Sequence, residues 1–137
     1  MVNSERITYM NGDFIPESEA KVHFRDRSFK YGDGVFDMTR TFGHKIFKIE
    51  EHVERLYKSL NYLDIKLDLP PKKMVEISKE VLQRNLPLIK KDEDYWVGQR
   101  ISRGVDRVGG EQWDLEGGPT VIAVSYTHLT LPTIYSV

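Results

Sequence analysis

Apolar and polar residues alternate along several short stretches of this chain and switch to a helical period twice. Ile7-Thr8-Tyr9-Met10 and Asp13-Phe14-Ile15-Pro16 read as two short strands. Asn11-Gly12 between them is the dipeptide that most strongly favours a two-residue hairpin turn. Ala20-Lys21-Val22-His23-Phe24 alternates again and predicts a third strand, followed by a charged loop over Arg25–Lys30. The next stretch, Tyr31 to Phe42, is a glycine-broken loop running into a longer strand. Successive strand side chains point to opposite faces. Val35, Asp37, Thr39 and Thr41 therefore share one face, and Phe36, Met38, Arg40 and Phe42 the other. An arginine among three large apolar residues has two readings: an edge position where the guanidinium reaches water, or a lined pocket that takes an anion.

Gly43-His44-Lys45 predicts a turn, with Ile46–Ile49 as the returning arm of a second hairpin. Glu50-Glu51 then opens a helix, since acidic residues favour a helix N-terminus. Val53, Leu56, Tyr57, Leu60 and Leu63 form its apolar stripe. Arg55 lies nearly opposite that stripe, where periodicity alone makes it a solvated residue. Pro71, acceptable in a first turn, begins a second helix to about Asn85, with Met74, Ile77, Val81 and Leu82 as its apolar side. Tyr95–Ser102 alternates as a strand, with Tyr95, Val97, Gln99, Ile101 and Arg103 on one face. Gly104–Gly118 reads as a long loop, and Pro119–Val124 as a further strand. Strands, two helices and more strands predict an α+β fold: a mixed or antiparallel sheet with two helices on one face.

The length, 137 residues, is enough for one domain or a piece of a larger protein. A net charge of −1 provides no field that would recruit nucleic acid or an anionic membrane. The chain has no cysteine, so disulfides, thiolate nucleophiles and zinc–thiolate sites are excluded. No second ligand stands at metal-binding distance in sequence from His23, and no metal site is expected. The first residues lack the apolar core of a signal peptide and no run approaches membrane-spanning length; a cytoplasmic protein is the expectation. There is no dinucleotide fingerprint, P-loop or G-x-S-x-G elbow.

An ordered set of motifs goes further. Tyr9-x-Asn11-Gly12-x-Phe14-x-Pro16, Asp26-Arg27-Ser28-Phe29-x-Tyr31-Gly32-Asp33-Gly34-Val35-Phe36, Ile46-Phe47 and Glu51-His52-x-x-Arg55-Leu56 follow one another. Together they resemble the N-terminal domain of class IV pyridoxal-phosphate aminotransferases, over roughly residues 6 to 123. That family includes branched-chain and D-amino-acid aminotransferases and aminodeoxychorismate lyase. The resemblance implies pyridoxal 5′-phosphate as cofactor, an amino acid and a 2-oxo acid as substrates, and a homodimer in the full-length form.

By the same resemblance Arg55 binds the cofactor phosphate, a task suited to a planar fork of donors. Tyr31, Phe36 and Arg40 match substrate-side positions of branched-chain enzymes. Arg103 matches a position that D-amino-acid enzymes use for the substrate carboxylate. Gly32-Asp33-Gly34 and Ser102-Arg103-Gly104 resemble the D-amino-acid and lyase side, whereas Phe36 and Arg40 resemble the branched-chain side. The expected activity is transamination of branched-chain L-amino acids. The alternatives are a D-amino-acid aminotransferase, a lyase acting on an aminated chorismate derivative, and a non-catalytic domain that binds a phosphate compound or a partner.

The family usually carries its Schiff-base lysine in a second domain, and no lysine follows Lys91 here. No catalytic residue is therefore assigned, and the chain is expected to be an N-terminal fragment, inactive alone. Residues 124–137 resemble the translation of a sequencing adapter and are expected to be a non-native tail after a domain of residues 1–123. Such a truncation would leave Val121-Ile122-Ala123 as an exposed apolar edge.

Overall fold

Residues 5–127 are described by the computed structural model. Asn11 and Gly12 both take positive φ, 49° and 105°. Two such residues in succession make the turn whose twist matches paired strands, and β1 (Ile7–Met10) and β2 (Asp13–Pro16) pair across it with Met10 opposite Asp13. No strand forms over residues 20–24, contrary to the alternation there. Val22 and Phe24 are 42% and 70% exposed, and no neighbouring strand lies there to give the alternation a buried side. His23 is exposed and stacks on Phe24.

The charged segment that follows is not all loop. It contains α1 (Arg27–Tyr31), capped at its start by Asp26, whose side chain accepts from the Ser28 N–H. Gly32 ends it in the left-handed region at φ 67°, the usual helix stop. Next comes β3 (Gly34–Phe42), and then β4, which is only Lys45–Ile46 because Ile49 already begins a helix. That helix, α2 (Ile49–Tyr62), buries Ile49, Val53, Leu56 and Leu60. The second, α3 (Pro71–Asn85), buries Met74, Ile77, Val81 and Leu82. Both match the predicted stripes. Neither is long and apolar enough to cross a membrane.

The strand β5 (Tyr95–Ser102) follows, and the predicted loop after it contains a small ribbon, β6 (Val105–Asp106) with β7 (Leu115–Glu116). The last strand, β8 (Thr120–Thr127), continues past Ala123 and pairs with β5 along its whole length. The main sheet runs β2-β1-β8-β5-β3-β4, antiparallel at every junction. Val121–Ala123 is therefore interior and not an edge: β5 and β1 flank it, and Val121 and Ala123 are buried. The expectation for residues 128–137 lies outside the described residues.

Both helices cover one face of this sheet, as the sequence predicts. Their apolar stripes meet Tyr9, Ile101, Val121 and Ala123 in one core. The opposite face is open. There Phe36 pairs with Arg100 and then Ile122, Met38 with Gly98 and then Val124, and Arg40 with Trp96 and then Tyr126. A Cβ on Gly98 would lie 2.6 Å from the Met38 sulfur. The glycine is what lets Met38 lie flat across the strand.

Candidate functional site

The functional candidates divide between the two faces of β3. Phe36 and Arg40 stand on the open face, Phe36 67% exposed. Most of β3 has a free edge because β4 pairs only with Thr41 and Phe42. Arg40 stacks its guanidinium 4.1 Å from the Phe42 ring centroid, lies 3.5 Å from Asp94, and donates to the Thr41 carbonyl. It is an arginine at an apolar surface with part of its fork turned inward. Arg100 stands over Phe36 at 5.5 Å. The Arg100 and Phe36 side of this face borders a concavity that also includes Val22, Gly34, Thr120 and Ile122. Tyr31, at the end of α1, is exposed and flanked by Arg27 and Lys30.

Arg55 is on the covered side, at the rim where α2 crosses β3. Its side chain is 67% exposed yet not free. Asp37, only 5% exposed, points inward from β3 and accepts from Arg55 Nε at 2.7 Å and Nη2 at 2.9 Å. His52, one turn earlier on α2, places Nδ1 2.6 Å from the same carboxylate. Burial pushes the Asp37 carboxyl up, but hydrogen bonds from Arg55 and His52 outweigh it and hold it below the usual carboxylate range. An ionised carboxylate only accepts, so His52 Nδ1 carries the proton.

Asp37 uses the side edge of the guanidinium, Nε with one Nη2 hydrogen. The end edge, Nη1 and the other Nη2 hydrogen, meets no carboxylate or carbonyl among the described residues. Beside Arg55 is a shallow concavity of about 390 Å³ that includes Lys58, Ser59, Tyr62 and Val35. An arginine fork with one edge open in a shallow recess, beside a lysine whose Nζ lies 3.4 Å from Glu54, is a donor set that fits a phosphate. The sequence motifs assigned no role to Asp37 or His52. The available signals were a carboxylate on the inward face of β3 and the i, i+3 spacing of His52 and Arg55, which puts both on one helix face.

Arg103 is differently placed. It is 6% exposed, and four of its N–H bonds have protein acceptors. Nε and Nη2 reach Asp33, and Nη1 and Nη2 reach the carbonyls of Asp64 and Leu63 at the end of α2. Trp113 covers the guanidinium face at 3.9 Å. Arg27 joins the same Asp33 at 2.7 Å and continues to Asp106, which also receives Lys30. Burial raises the Asp33 carboxyl, while Arg103 and Arg27 together bring it below its ordinary value. Among the described residues no cluster of His, Asp and Glu is arranged to hold a metal ion.

Asp26, Asp33 and Asp37 all have carboxyls held low against burial, Asp26 by Ser102, Ser28 and Thr120. A lowered native pKa means that the unfolded chain binds more protons in acid, so stability rises with pH there. It is complete above the unfolded carboxyl value of about 4 and is lost as pH falls through the native values. Melting temperature followed by circular dichroism should be level from pH 7 to 5 and fall steeply below about pH 4. A level profile down to pH 2.5 would contradict the network.

The family model described as Amino-transferase class IV matches residues 34–112. A putative branched-chain-amino-acid aminotransferase of Methanocaldococcus jannaschii is 32% identical over 117 residues, covering 85% of this chain and 38% of that protein. The D-alanine aminotransferase of Staphylococcus aureus (strain N315) is 34% identical over 77 residues, 56% of this chain and 27% of that protein. Among solved structures, the T.th. branched-chain amino acid aminotransferase complexed with N-(5′-phosphopyridoxyl)-L-glutamate is similar with a TM-score of 0.72 at 26% identity, covering 87% of this chain and 40% of that one. The chain thus spans less than half the length of these proteins. With the family match running from β3 through both helices and β5, the segment that carries Asp37, Arg55 and Arg103, this chain belongs to the class IV aminotransferase family.

Proposed function

We propose that this chain supplies the phosphate-gripping and substrate-side portion of a cytoplasmic pyridoxal-phosphate aminotransferase acting on branched-chain L-amino acids and their 2-oxo acids. The observation that carries the reading is Arg55, fixed on one edge by Asp37 and open on the other beside Lys58. When bound, pyridoxal phosphate serves as the electron sink for the carbanion at the amino acid's Cα and carries the amino group. Arg55 anchors its phosphate through the open edge. Phe36 and Met38 offer apolar surface to a branched side chain on the open face, and Arg40 biases that face toward a carboxylate. Tyr31, exposed at the end of α1, reaches the site of a second copy in a homodimer.

A second reading, D-amino-acid transamination, has its own support. The D-alanine relatives are 31–34% identical over the matched 77 residues, and by resemblance Arg103 matches the position that D-amino-acid enzymes use for the substrate carboxylate. The inward direction of the Arg103 donors favours the branched-chain reading.

Titration calorimetry with pyridoxamine 5′-phosphate and with phosphate-free pyridoxamine tests the anchor. Arg55→Ala should weaken the phosphorylated compound by about 10-fold or more, the usual size of a hydrogen bond to a charged group, and leave pyridoxamine unchanged. Equal effects on both compounds would remove the phosphate assignment. For the substrate, residues 5–127 can replace the matching segment of the Methanocaldococcus jannaschii protein. Transfer from L-leucine should then exceed transfer from D-alanine, and the reverse order would select the second reading.

A further inference from the structure

We propose that Asp37 is a positioning residue, one that orients Arg55 to receive a phosphate and acts through geometry against its own charge. The inference rests on the reading of Arg55 as a phosphate anchor.

A buried carboxylate is costly unless it is hydrogen-bonded. Asp37 accepts from Arg55 Nε and Nη2, from His52 Nδ1, and from the Met38 N–H at 2.9 Å. These donors come from two elements, β3 and α2, so the carboxylate is held from both sides. Arg55 has the opposite problem. An arginine two-thirds exposed on a helix has many rotamers of similar energy, and a ligand must remove that freedom on binding. The side-on pair with Asp37 removes it beforehand. It also determines which edge remains, since the guanidinium is planar and one edge occupied by Asp37 leaves the end edge facing outward.

Charge alone argues against placing an acid here. The Asp37 anion cancels the Arg55 cation and repels a phosphate approaching the same rim. A site built only for attraction would lack it. Two hypotheses therefore predict opposite signs for one substitution. Asp37→Asn removes the negative charge at nearly constant shape. If Asp37 acts mainly as a charge, phosphate binds more tightly. If it acts by orientation, phosphate binds more weakly, because the Asn amide offers donors where Arg55 and His52 also offer donors.

The experiment is a titration with inorganic phosphate, read by the side-chain N–H resonances of Arg55 in the whole 137-residue chain. Weakening by about 10-fold is expected for Asp37→Asn, the lower end of what orienting partners contribute at metal ligands. In an Arg55→Ala background the same substitution should have no further effect, as a coupling between the two residues requires. Unchanged or tighter binding by a folded Asp37→Asn chain overturns the proposal and leaves the anchor standing. Failure of the unsubstituted chain to bind phosphate overturns the anchor and the positioning role built on it. If Asp37→Asn does not fold, hydrogen exchange in the unsubstituted chain decides. The Arg55 Nε–H should exchange more slowly than that of Arg100, an exposed arginine that stacks on Phe36 and meets no carboxylate among the described residues, and exchange at the same rate overturns the proposal.

Discussion

Arg103→Ala is expected to lower stability by about 3 to 4 kcal/mol, near the lower end of the range for breaking a buried ion pair. The lower end applies because Asp33 keeps Arg27 as a second partner. The loss has three parts. Asp33, 14% exposed at its side chain, gives up two hydrogen bonds. The Leu63 and Asp64 carbonyls at the end of α2 lose the cation that caps them, where positive charge also complements the helix dipole. Trp113 loses the guanidinium it covers. Thermal melting should shift down by roughly 10 °C or more for a chain of this size. Arg103→Lys restores the charge without the fork, and should recover less than half of the loss. The measurement also bears on the substrate question. If Arg103→Ala leaves the melting temperature unchanged, the residue is not structural, and the D-amino-acid reading gains its strongest support.

Asp26→Ala is the second large effect, again about 3 to 4 kcal/mol. Asp26 is fully buried, and accepts from the Ser28 N–H, the Ser28 hydroxyl and the Thr120 hydroxyl at 2.6 Å. Removing a helix cap typically costs about 1 kcal/mol, and each buried donor left unsatisfied adds about 1 kcal/mol or more. The three bonds tie the start of α1 to the first residue of β8, so the loss falls on the segment that presents Tyr31. Urea unfolding should show a lower midpoint with an unchanged slope, as a pure stability change requires. Asp26→Asn keeps one acceptor oxygen and should lose roughly half as much. Equal losses for the two variants would show that the charge, and not the acceptor geometry, holds α1 in place.

The two networks have a common function in the fold. Asp26 and the Asp33–Arg103 pair fix both ends of α1 and its exit into β3, the strand that carries Phe36, Asp37 and Arg40. The rim where Arg55 meets Asp37 is therefore anchored from the near end of the same strand, since Asp37 is only three residues past Gly34.

The features legible in the residues alone are local ones. The Asn11-Gly12 turn follows from two residues that tolerate positive φ. Both long helices follow from apolar residues at a 3.6-residue period, and the face assignments of β3 and β5 follow from alternation. The motif order points to the family without any coordinates. Where the local signal is short or lacks a partner, the pattern misleads. Val22 and Phe24 alternate correctly but no strand stands beside them, and a five-residue run, four of it charged or aromatic, hid α1 although Asp26 and Gly32 cap it. The sheet order came from the folded chain, because β1 pairs with β8 across more than a hundred residues and hydrogen-bond pairing leaves no trace in composition. The same holds for the two arginines. Periodicity makes Arg55 a solvated residue and puts Arg103 on an inward face. Which acid each one meets, Asp37 or Asp33, depends on how α2 and the β5 exit pack on β3, and that is a property of the assembled sheet.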